Sequence, residues 1–344
     1  MKKLKNLLLC LFIAIVPSVI CADNSEFHTI DLGYNKNIYG TKQIEAIKNW
    51  GLDTQTSGVV SDSVILGIGG SVEPLTSGNA ISGIRSWNGL GEIFTILQEK
   101  YIAMIFLCVV LFVPLAFFSH FKIIGARKYN HANKLKVFSL YNIIVHWFTA
   151  VPCIIICVTG LMMSFGAYLG GGALVRFARD LHGLCTPIFA VFGVLMFLMW
   201  VKDCLPKGYD VKWLTMMGGY LDRENRIIPA HKFNAGQKMW FWIATLGGAV
   251  MVVTGGIMFF QCVNINALRL SALVHSFMGF AFLAMLITHI YMAVFAIEGA
   301  LESMINGNMG EEELSMLHSI YYEDLQKSGK IDSMRCTTNG HCIA

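Results

Sequence analysis

The chain has 344 residues, of which 55% are hydrophobic and only 14% are charged. A soluble globular domain carries about 25% charged residues, so the composition indicates an integral membrane protein whose surroundings are membrane lipid. The net charge of +4 is accounted for by lysines and arginines in the predicted loops and indicates no nucleic-acid partner.

The first 22 residues are typical of a secretory signal peptide. Three lysines (Lys2, Lys3 and Lys5) precede an apolar run over residues 7–20, and small residues follow around Ala22. Because that run is short for a membrane span, export and cleavage are predicted, with an uncleaved anchor as the alternative. Residues 23–99 then form an exported N-terminal extension, rich in Gly and Ser and without readable chemistry.

Five later apolar runs are long enough to cross a bilayer as helices. They cover residues 101–118, 141–165, 182–201, 239–260 and 272–297. Lysines and arginines concentrate in the links 119–140 and 202–238. The positive-inside rule therefore predicts a multi-pass membrane protein with both links in the cytoplasm. Its N-terminal part is periplasmic, and the tail after residue 298 is cytoplasmic and is expected to be solvated.

The last four spans carry four histidines and, away from their ends, no Asp, Glu, Lys or Arg. His275 and His289 lie 14 residues apart on the last span, which is about 21 Å of rise and nearly four turns, so both leave the same face. Because neighbouring spans run in opposite directions, His182 shares the outer level of His275, and His146 shares the inner level of His289. The sequence thus predicts two pairs across helices.

A faint internal repeat agrees with this pairing. Residues 158–160 and 253–255 both read Val-Thr-Gly, and His182 and His275 follow them after 22 and 20 residues. The repeat predicts that spans two and three form a helical hairpin and that spans four and five form its parallel copy. Three identical residues in so apolar a chain could also arise by chance.

Paired histidines inside a membrane have several chemical interpretations. A single one could hydrogen-bond a neighbouring helix, and a proton or ion pathway usually recruits carboxylates and lysines as well. Two histidines underfill a zinc site. Haem iron already has four porphyrin nitrogens and needs two axial ligands, so haem fits best. With both axial positions filled by histidine, the haem can only pass electrons.

Glycines in these spans agree with flat rings lying between the helices. Without side chains they leave room for such a ring, although close helix-helix contact through small residues is an equal alternative. They are Gly160, Gly183, Gly193, Gly247, Gly248, Gly255, Gly256 and Gly279.

The second basic link ends in a segment that suits a quinone. Residues 229–238 carry polar amides and run directly into the aromatic stretch 239–242, at the level of His289. A quinone head group needs hydrogen bonds at its carbonyls and apolar walls. The alternative, which pattern alone favours, is a capped helix with an interfacial aromatic belt.

Several segments resemble the gamma subunit, cytochrome b556, of respiratory formate dehydrogenases. They are residues 146–147, 181–182, 232–242 and 274–293, within a resemblance that covers about residues 141–310. The resemblance implies two b-type haems held by the histidine pairs above. It also implies that menaquinone is reduced near Asn234, Gly236, Gln237 and His289. The implied partners are an iron-sulfur beta subunit outside and a molybdenum or tungsten catalytic alpha subunit.

The sequence therefore predicts an all-α membrane protein, a four-helix dihaem cytochrome b bundle with one additional N-terminal transmembrane helix. Its expected function is the electron-transferring and quinone-reducing subunit of a formate dehydrogenase complex, with formate oxidised on another subunit. The alternatives are the cytochrome b subunit of a membrane-bound hydrogenase or thiosulfate-type reductase and, in another class, a proton-coupled transporter. The predicted regions are a signal peptide (1–22), an extension (23–99), the extra helix with its link (100–140), the dihaem domain (141–298) and a tail (299–344).

Overall fold

The computed structural model describes residues 89–261, 263 and 265–335. The predicted signal peptide and most of the predicted extension lie outside these residues. In the described part, five helices are long and apolar enough to cross a membrane, which agrees with the predicted number of spans. The chain is an all-α integral membrane protein.

The first helix, α1, runs through Gly89–Ile96, a π-helical segment Leu97–Ile102 and Ala103–Ile123. The helices that follow, in chain order, are α2 (Leu140–Ser164), α3 (Gly172–Trp200), α4 (Gly208–Thr215), α5 (Ala235–Trp242, π-helical Ile243–Gly247 and Gly248–Phe260), α6 (Ile265–Tyr291 and π-helical Met292–Ala296), α7 (Glu311–Leu317), α8 (Ser319–Lys327) and α9 (Ile331–Met334). Turns of 3-10 helix cover Met217–Gly219 and Ala300–Met304.

Four membrane helices begin four or more residues before their apolar runs, and one of them is α5, which starts at Ala235 rather than at residue 239. α1, α3 and α6 start at Gly89, Gly172 and Ile265 rather than at residues 101, 182 and 272. The turns that precede the apolar runs carry polar side chains, such as the exposed ion pair of Arg179 and Asp180. An apolar run marks only the part of a helix in the hydrocarbon layer, and a helix continues beyond it wherever its backbone hydrogen bonds can.

The membrane helices pack as two hairpins with an added helix. α2 packs along α3, α5 packs along α6, and α3 also contacts α5. α1 lies against α6, where the rings of Phe106 and Phe280 are 4.5 Å apart and Phe117 stacks on Tyr291 at 4.4 Å. His120 near the end of α1 contacts the Tyr291 hydroxyl at 2.7 Å. The extra helix is thus joined to the helix that carries two of the four histidines.

One end of the bundle is covered by a folded unit that we call the cap, formed by residues 124–139, 201–234 and 297–335. Two strands of the cap, β1 (Lys134–Lys136) and β2 (Asn308–Gly310), pair antiparallel with Leu135 opposite Met309. Leu135 is fully buried and packs in one apolar cluster with Leu314 and Leu325. The expectation that the tail is solvated is therefore wrong for residues up to 335, because its apolar side chains fold onto the links.

Burial shifts the pKa values of two side chains of the cap in opposite directions. Burial raises the pKa of Glu313 to about 7 from 4.5, and the N–H of Gly310 opposes part of that rise. Burial lowers the pKa of His318 to about 4 from 6.5. Glu313 binds its proton more tightly in the folded state than in the unfolded state. The stability of the folded state therefore falls as pH rises from 4.5 through 7. His318 binds its proton more weakly, so it costs stability as pH falls from 6.5 to 4.

Glu313→Gln is therefore expected to stabilise the cap at pH 8 and to change little at pH 5. The difference between the folded and unfolded pKa corresponds to roughly 3 kcal/mol at high pH. Thermal denaturation of the full chain in detergent at both pH values measures it. Glu323→Gln, at an exposed position on α8, is the matched control and should have little effect at either pH. Equal stabilisation by Glu313→Gln at both pH values would contradict the burial argument.

Candidate functional site

The structure brings the four histidines of α2, α3 and α6 together as two pairs. The ring centroids of His146 and His289 are 6.4 Å apart, with 52° between the ring planes. Those of His182 and His275 are also 6.4 Å apart, with 53° between the planes. The first pair lies towards the cap. The second pair lies near the end of the bundle away from the cap, ten residues after the first residues of α3 and α6. The two pairs therefore occupy two levels of one bundle.

The separation of the rings suits a shared metal ion. Two imidazoles that bind one ion from opposite sides through nitrogen, at about 2 Å each, place their centroids about 6 Å apart. Within the described residues, no group of three or more His, Cys, Asp or Glu side chains is placed to hold a metal. The pairs thus fit a metal whose other ligands come from a non-protein group, and a porphyrin supplies four nitrogens in that way.

Two threonines contact the rings of the His182–His275 pair. The Thr159 hydroxyl oxygen lies 3.1 Å from Nδ1 of His182, and the Thr254 hydroxyl oxygen lies 3.0 Å from Nδ1 of His275. Each hydroxyl also donates at 2.7 Å to the backbone carbonyl one turn earlier. Because a hydroxyl has a single proton, each oxygen then accepts the Nδ1–H of its histidine. Both rings are left with a free electron pair on Nε2, the form that binds a metal.

The Val-Thr-Gly repeat has a structural explanation at this pair. A Cβ atom at Gly160 would lie 3.5 Å from Cε1 of His182, and one at Gly255 would lie 3.3 Å from Cε1 of His275. The threonine of each copy contacts the ring. A Cβ would be tight against the ring at Gly255, whereas at Gly160 it would make an ordinary van der Waals contact. Sequence reasoning found the repeat but missed the threonines, although their placement before each histidine was the available signal.

Other glycines serve helix packing instead of the histidine pairs. A Cβ at Gly248 would lie 2.9 Å from the Phe189 ring, and one at Gly279 would lie 3.1 Å from the Phe106 ring. Close contact between helices, the alternative interpretation, therefore accounts for these positions. Among the described residues, no atom outside the local helix backbone lies within 4 Å of a Cβ built at Gly193 or Gly256.

The His146–His289 pair has a more apolar setting than the other pair. Nδ1 of His146 is buried and has no hydrogen-bond partner in the part of the chain that the structure describes. Trp240 stacks on His289 with 5.5 Å between ring centroids and 23° between planes. Trp147 donates its indole N–H to the carbonyl of Met304 at 2.6 Å, which ties α2 to the cap.

An apolar layer separates the two levels of the bundle. Phe189 and Phe282 meet there with their ring centroids 6.2 Å apart, and Phe282 also contacts Trp240 at 5.3 Å. Cys153 and Leu286 are buried in the same cluster. Phe282 lies seven residues from both His275 and His289, so it occupies the middle of the same helix face.

Asn234 and Gln237 form the N-terminal capping box of α5. The Asn234 side-chain oxygen accepts the Gln237 N–H at 2.9 Å, and the Gln237 side-chain oxygen accepts the Asn234 N–H at 2.9 Å. Asn234 is buried and Gln237 is exposed. The oxygens of both amides thus do what the capped-helix alternative expected. Their NH₂ groups are not used by this motif and are hydrogen-bond donors.

The start of α5 is also fixed by contacts that the sequence did not reveal. The Trp213 ring covers Gly236, where a Cβ would lie 2.9 Å from it. Lys238, which is buried, forms an ion pair with Asp210 at 2.8 Å. A buried charge is costly unless it is paired, so this pair holds α4 against α5.

The tail binds the segment that leads into α5. The carbonyl of His231 contacts Nδ1 of the buried His318 at 2.7 Å, and the N–H of Ile228 donates to the carbonyl of Met316 at 2.7 Å. The hydroxyl of Ser319 donates to the carbonyl of Ile228 at 2.9 Å. These bonds fix residues 228–231 just before Asn234, the N-cap residue of α5. The tail therefore helps to position the predicted quinone residues.

Comparisons with known proteins agree with this architecture. The model of the prokaryotic cytochrome b561 family matches residues 137–307, about half of the chain. The matched residues include α2 to α6 and all four paired histidines, whereas α1 precedes them.

The chain is also similar to three formate dehydrogenase subunits. It is 26% identical over 194 residues to the cytochrome b556(Fdn) subunit of the nitrate-inducible formate dehydrogenase of Escherichia coli (strain K12), covering 53% of this chain and 88% of that subunit. Identity is 27% over 219 residues to the formate dehydrogenase cytochrome b556 subunit of Haemophilus influenzae, covering 57% and 90%. It is 25% over 193 residues to the cytochrome b556(fdo) subunit of Escherichia coli (strain K12), covering 53% and 89%. Through residues 137–307, this chain belongs to the prokaryotic cytochrome b561 family.

Proposed function

We propose that this chain is the membrane cytochrome b subunit of a formate dehydrogenase complex and that it passes electrons through two bis-histidine haems b to menaquinone. The observation that carries the proposal is the pair of histidine contacts, each with a centroid separation of 6.4 Å, at two levels of one helical bundle. The family implies haem b, and the similar proteins are named as formate dehydrogenase subunits.

In this proposal each pair holds one haem iron. His182 and His275 would hold the iron of one haem, and His146 and His289 would hold that of the other. Haem b, when bound, accepts and releases one electron at its iron. Because histidines fill both axial positions, the protein leaves no open site for oxygen. The apolar layer around Phe189 and Phe282 keeps water from the space between the two levels.

The proposed orientation puts the cap in the cytoplasm. The basic links that form much of the cap support this, because cytoplasmic loops are enriched in lysine and arginine. The His182–His275 level then faces the periplasm of a bacterial inner membrane. An iron-sulfur beta subunit, fed by a molybdenum or tungsten alpha subunit, would dock on that side and deliver electrons there.

The proposed menaquinone site lies beside the His146–His289 pair. Asn234, Gly236 and Gln237 begin α5, and Trp240 one turn later stacks on His289. The amide NH₂ groups of Asn234 and Gln237 would donate to the quinone carbonyls, and the aromatic side chains would wall the ring. Protons taken from the cytoplasm and electrons taken from the periplasm would together store about 2.3 kcal/mol per electron for each 100 mV.

The ligand assignment predicts which haem each variant loses. His182→Ala and His275→Ala are each expected to remove one and the same haem, whereas His146→Ala and His289→Ala remove the other. Haem per protein should fall by about half in every case, because one of two bis-histidine irons loses a ligand. Reduced-minus-oxidised spectra and redox titrations of purified full-length chain measure it. His120→Ala, at a histidine of α1 that hydrogen-bonds Tyr291 instead, should retain both haems.

Two results would contradict the assignment. A wild-type preparation without haem b bands would refute the electron-transfer function and favour the transporter. Loss of different haems by two variants of one pair would refute the pairing. Identification of the subunits that copurify with the chain separates formate dehydrogenase from the hydrogenase and thiosulfate-type alternatives.

The quinone assignment predicts slower menaquinone reduction after loss of the amide donors. Asn234→Ser keeps an oxygen for the helix cap but removes the NH₂ group, and Gln237→Ala removes the second donor. Loss of one hydrogen bond to the quinone should slow the reaction roughly tenfold while both haems remain bound. Electron transfer from the reduced haems to a water-soluble menaquinone analogue measures the rate. Ser139→Ala breaks the equivalent capping box at the start of α2 and should leave the rate unchanged. Wild-type rates in both amide variants would remove these residues from the site.

A further inference from the structure

The two histidine pairs have the same ring separation but differ in hydrogen bonding at Nδ1. Thr159 and Thr254 contact Nδ1 of His182 and His275 at 3.1 and 3.0 Å. Nδ1 of His146 is buried without a hydrogen-bond partner among the described residues. In the pair near the cap, at least one ring thus lacks the Nδ1 hydrogen bond that both rings of the other pair have.

The direction of these hydrogen bonds follows from counting protons. Each threonine gives its one hydroxyl proton to a backbone carbonyl of its own helix, at 2.7 Å. The oxygen can then only accept from the imidazole, so Nδ1 carries the hydrogen and Nε2 is free. Both rings are held in the same tautomer and in a fixed orientation before any metal binds.

Such a hydrogen bond changes the donor strength of the ring. A histidine that donates its second N–H to an acceptor becomes a more basic ligand. A more basic ligand stabilises the more highly charged, oxidised state of the metal, and hydrogen bonds around a cofactor are one of the levers that set its potential. His146, with its buried Nδ1 unpartnered and aromatic side chains around the pair, has no such assistance from described residues.

We infer that Thr159 and Thr254 are positioning residues that lower the reduction potential of the haem held by His182 and His275 below that of the haem held by His146 and His289. The inference rests on the proposed function, since it requires a haem at each pair. Electrons move towards the higher potential, so this difference favours flow from the far level towards the cap, where the proposed quinone site lies.

A purely structural role for the threonines makes a different prediction. If each hydroxyl only satisfied a buried ring N–H, its removal would reduce stability or haem content without changing the potential of the haem that remains. Two other buried threonines on the same two spans provide controls. Thr149 and Thr245 donate to the carbonyl one turn earlier at 2.8 and 2.7 Å, and within the described residues they make no hydrogen bond to a histidine.

The test is a redox titration of the full-length chain in its membrane, followed at the haem b absorption bands. Thr159→Val and Thr254→Val should each raise the potential of the haem that His182→Ala removes, and should leave the other potential unchanged. In the double variant we expect the ratio of reduced to oxidised haem at a given potential to rise about tenfold, which is 59 mV for one electron. Thr159→Ser and Thr254→Ser should restore the wild-type potential, and Thr149→Val and Thr245→Val should not change it.

The outcomes separate the inference from the proposed function. If the wild-type chain binds no haem, or His182→Ala and His275→Ala remove different haems, the proposed function fails. If both haems are present and the valine variants shift neither, or shift both equally, the inference is overturned and the function stands. If the valine variants lose part of that haem and the fraction that stays bound keeps the wild-type potential, the threonines have the purely structural role and the inference is overturned.

Discussion

Polar side chains inside a membrane need partners, and this requirement on four imidazoles governs the architecture. α6 carries His275 and His289 on one face, about 21 Å apart along its axis. Hydrocarbon offers no hydrogen bonds to either ring. Each ring lies opposite a histidine from another helix at its own level, His182 from α3 or His146 from α2, at a separation that leaves room for a metal ion between the two rings. α6 is the element that both pairs share, and the hairpins are arranged around it.

The spans and the pairing could be predicted because both depend on quantities that run along the chain. Hydropathy identified α2, α3, α5 and α6, and alternating direction then gave each histidine its level. The structure shows five long apolar helices in its described part, as expected. What hydropathy could not give was the true start of α3 or α6, since the first turns of those helices extend past the apolar run.

The cap could not be predicted, because it depends on contacts between segments far apart in sequence. β1 pairs with β2 across some 170 residues of sequence. His318, which follows α6 in sequence, contacts the carbonyl of His231, which precedes α5. The links and the tail are largely polar and show no long apolar repeat. Their sequences therefore do not indicate which segments pair. The Lys238–Asp210 pair was hidden for the same reason. The capped helix, which the pattern of residues 229–242 favoured over a quinone site, is present, because the side-chain oxygens of Asn234 and Gln237 cap α5.

The two levels of the bundle are built for different environments. The His182–His275 level is symmetric, with one threonine and one glycine serving each ring, as expected of two copies of one hairpin. The other level has lost that symmetry, because α5 brings Trp240 onto His289 while α2 anchors Trp147 in the cap. A site that only exchanges electrons can be closed and symmetric. A site that also exchanges protons must open towards water on one side, and the level beside the cap is the one where polar residues, helix starts and the tail converge.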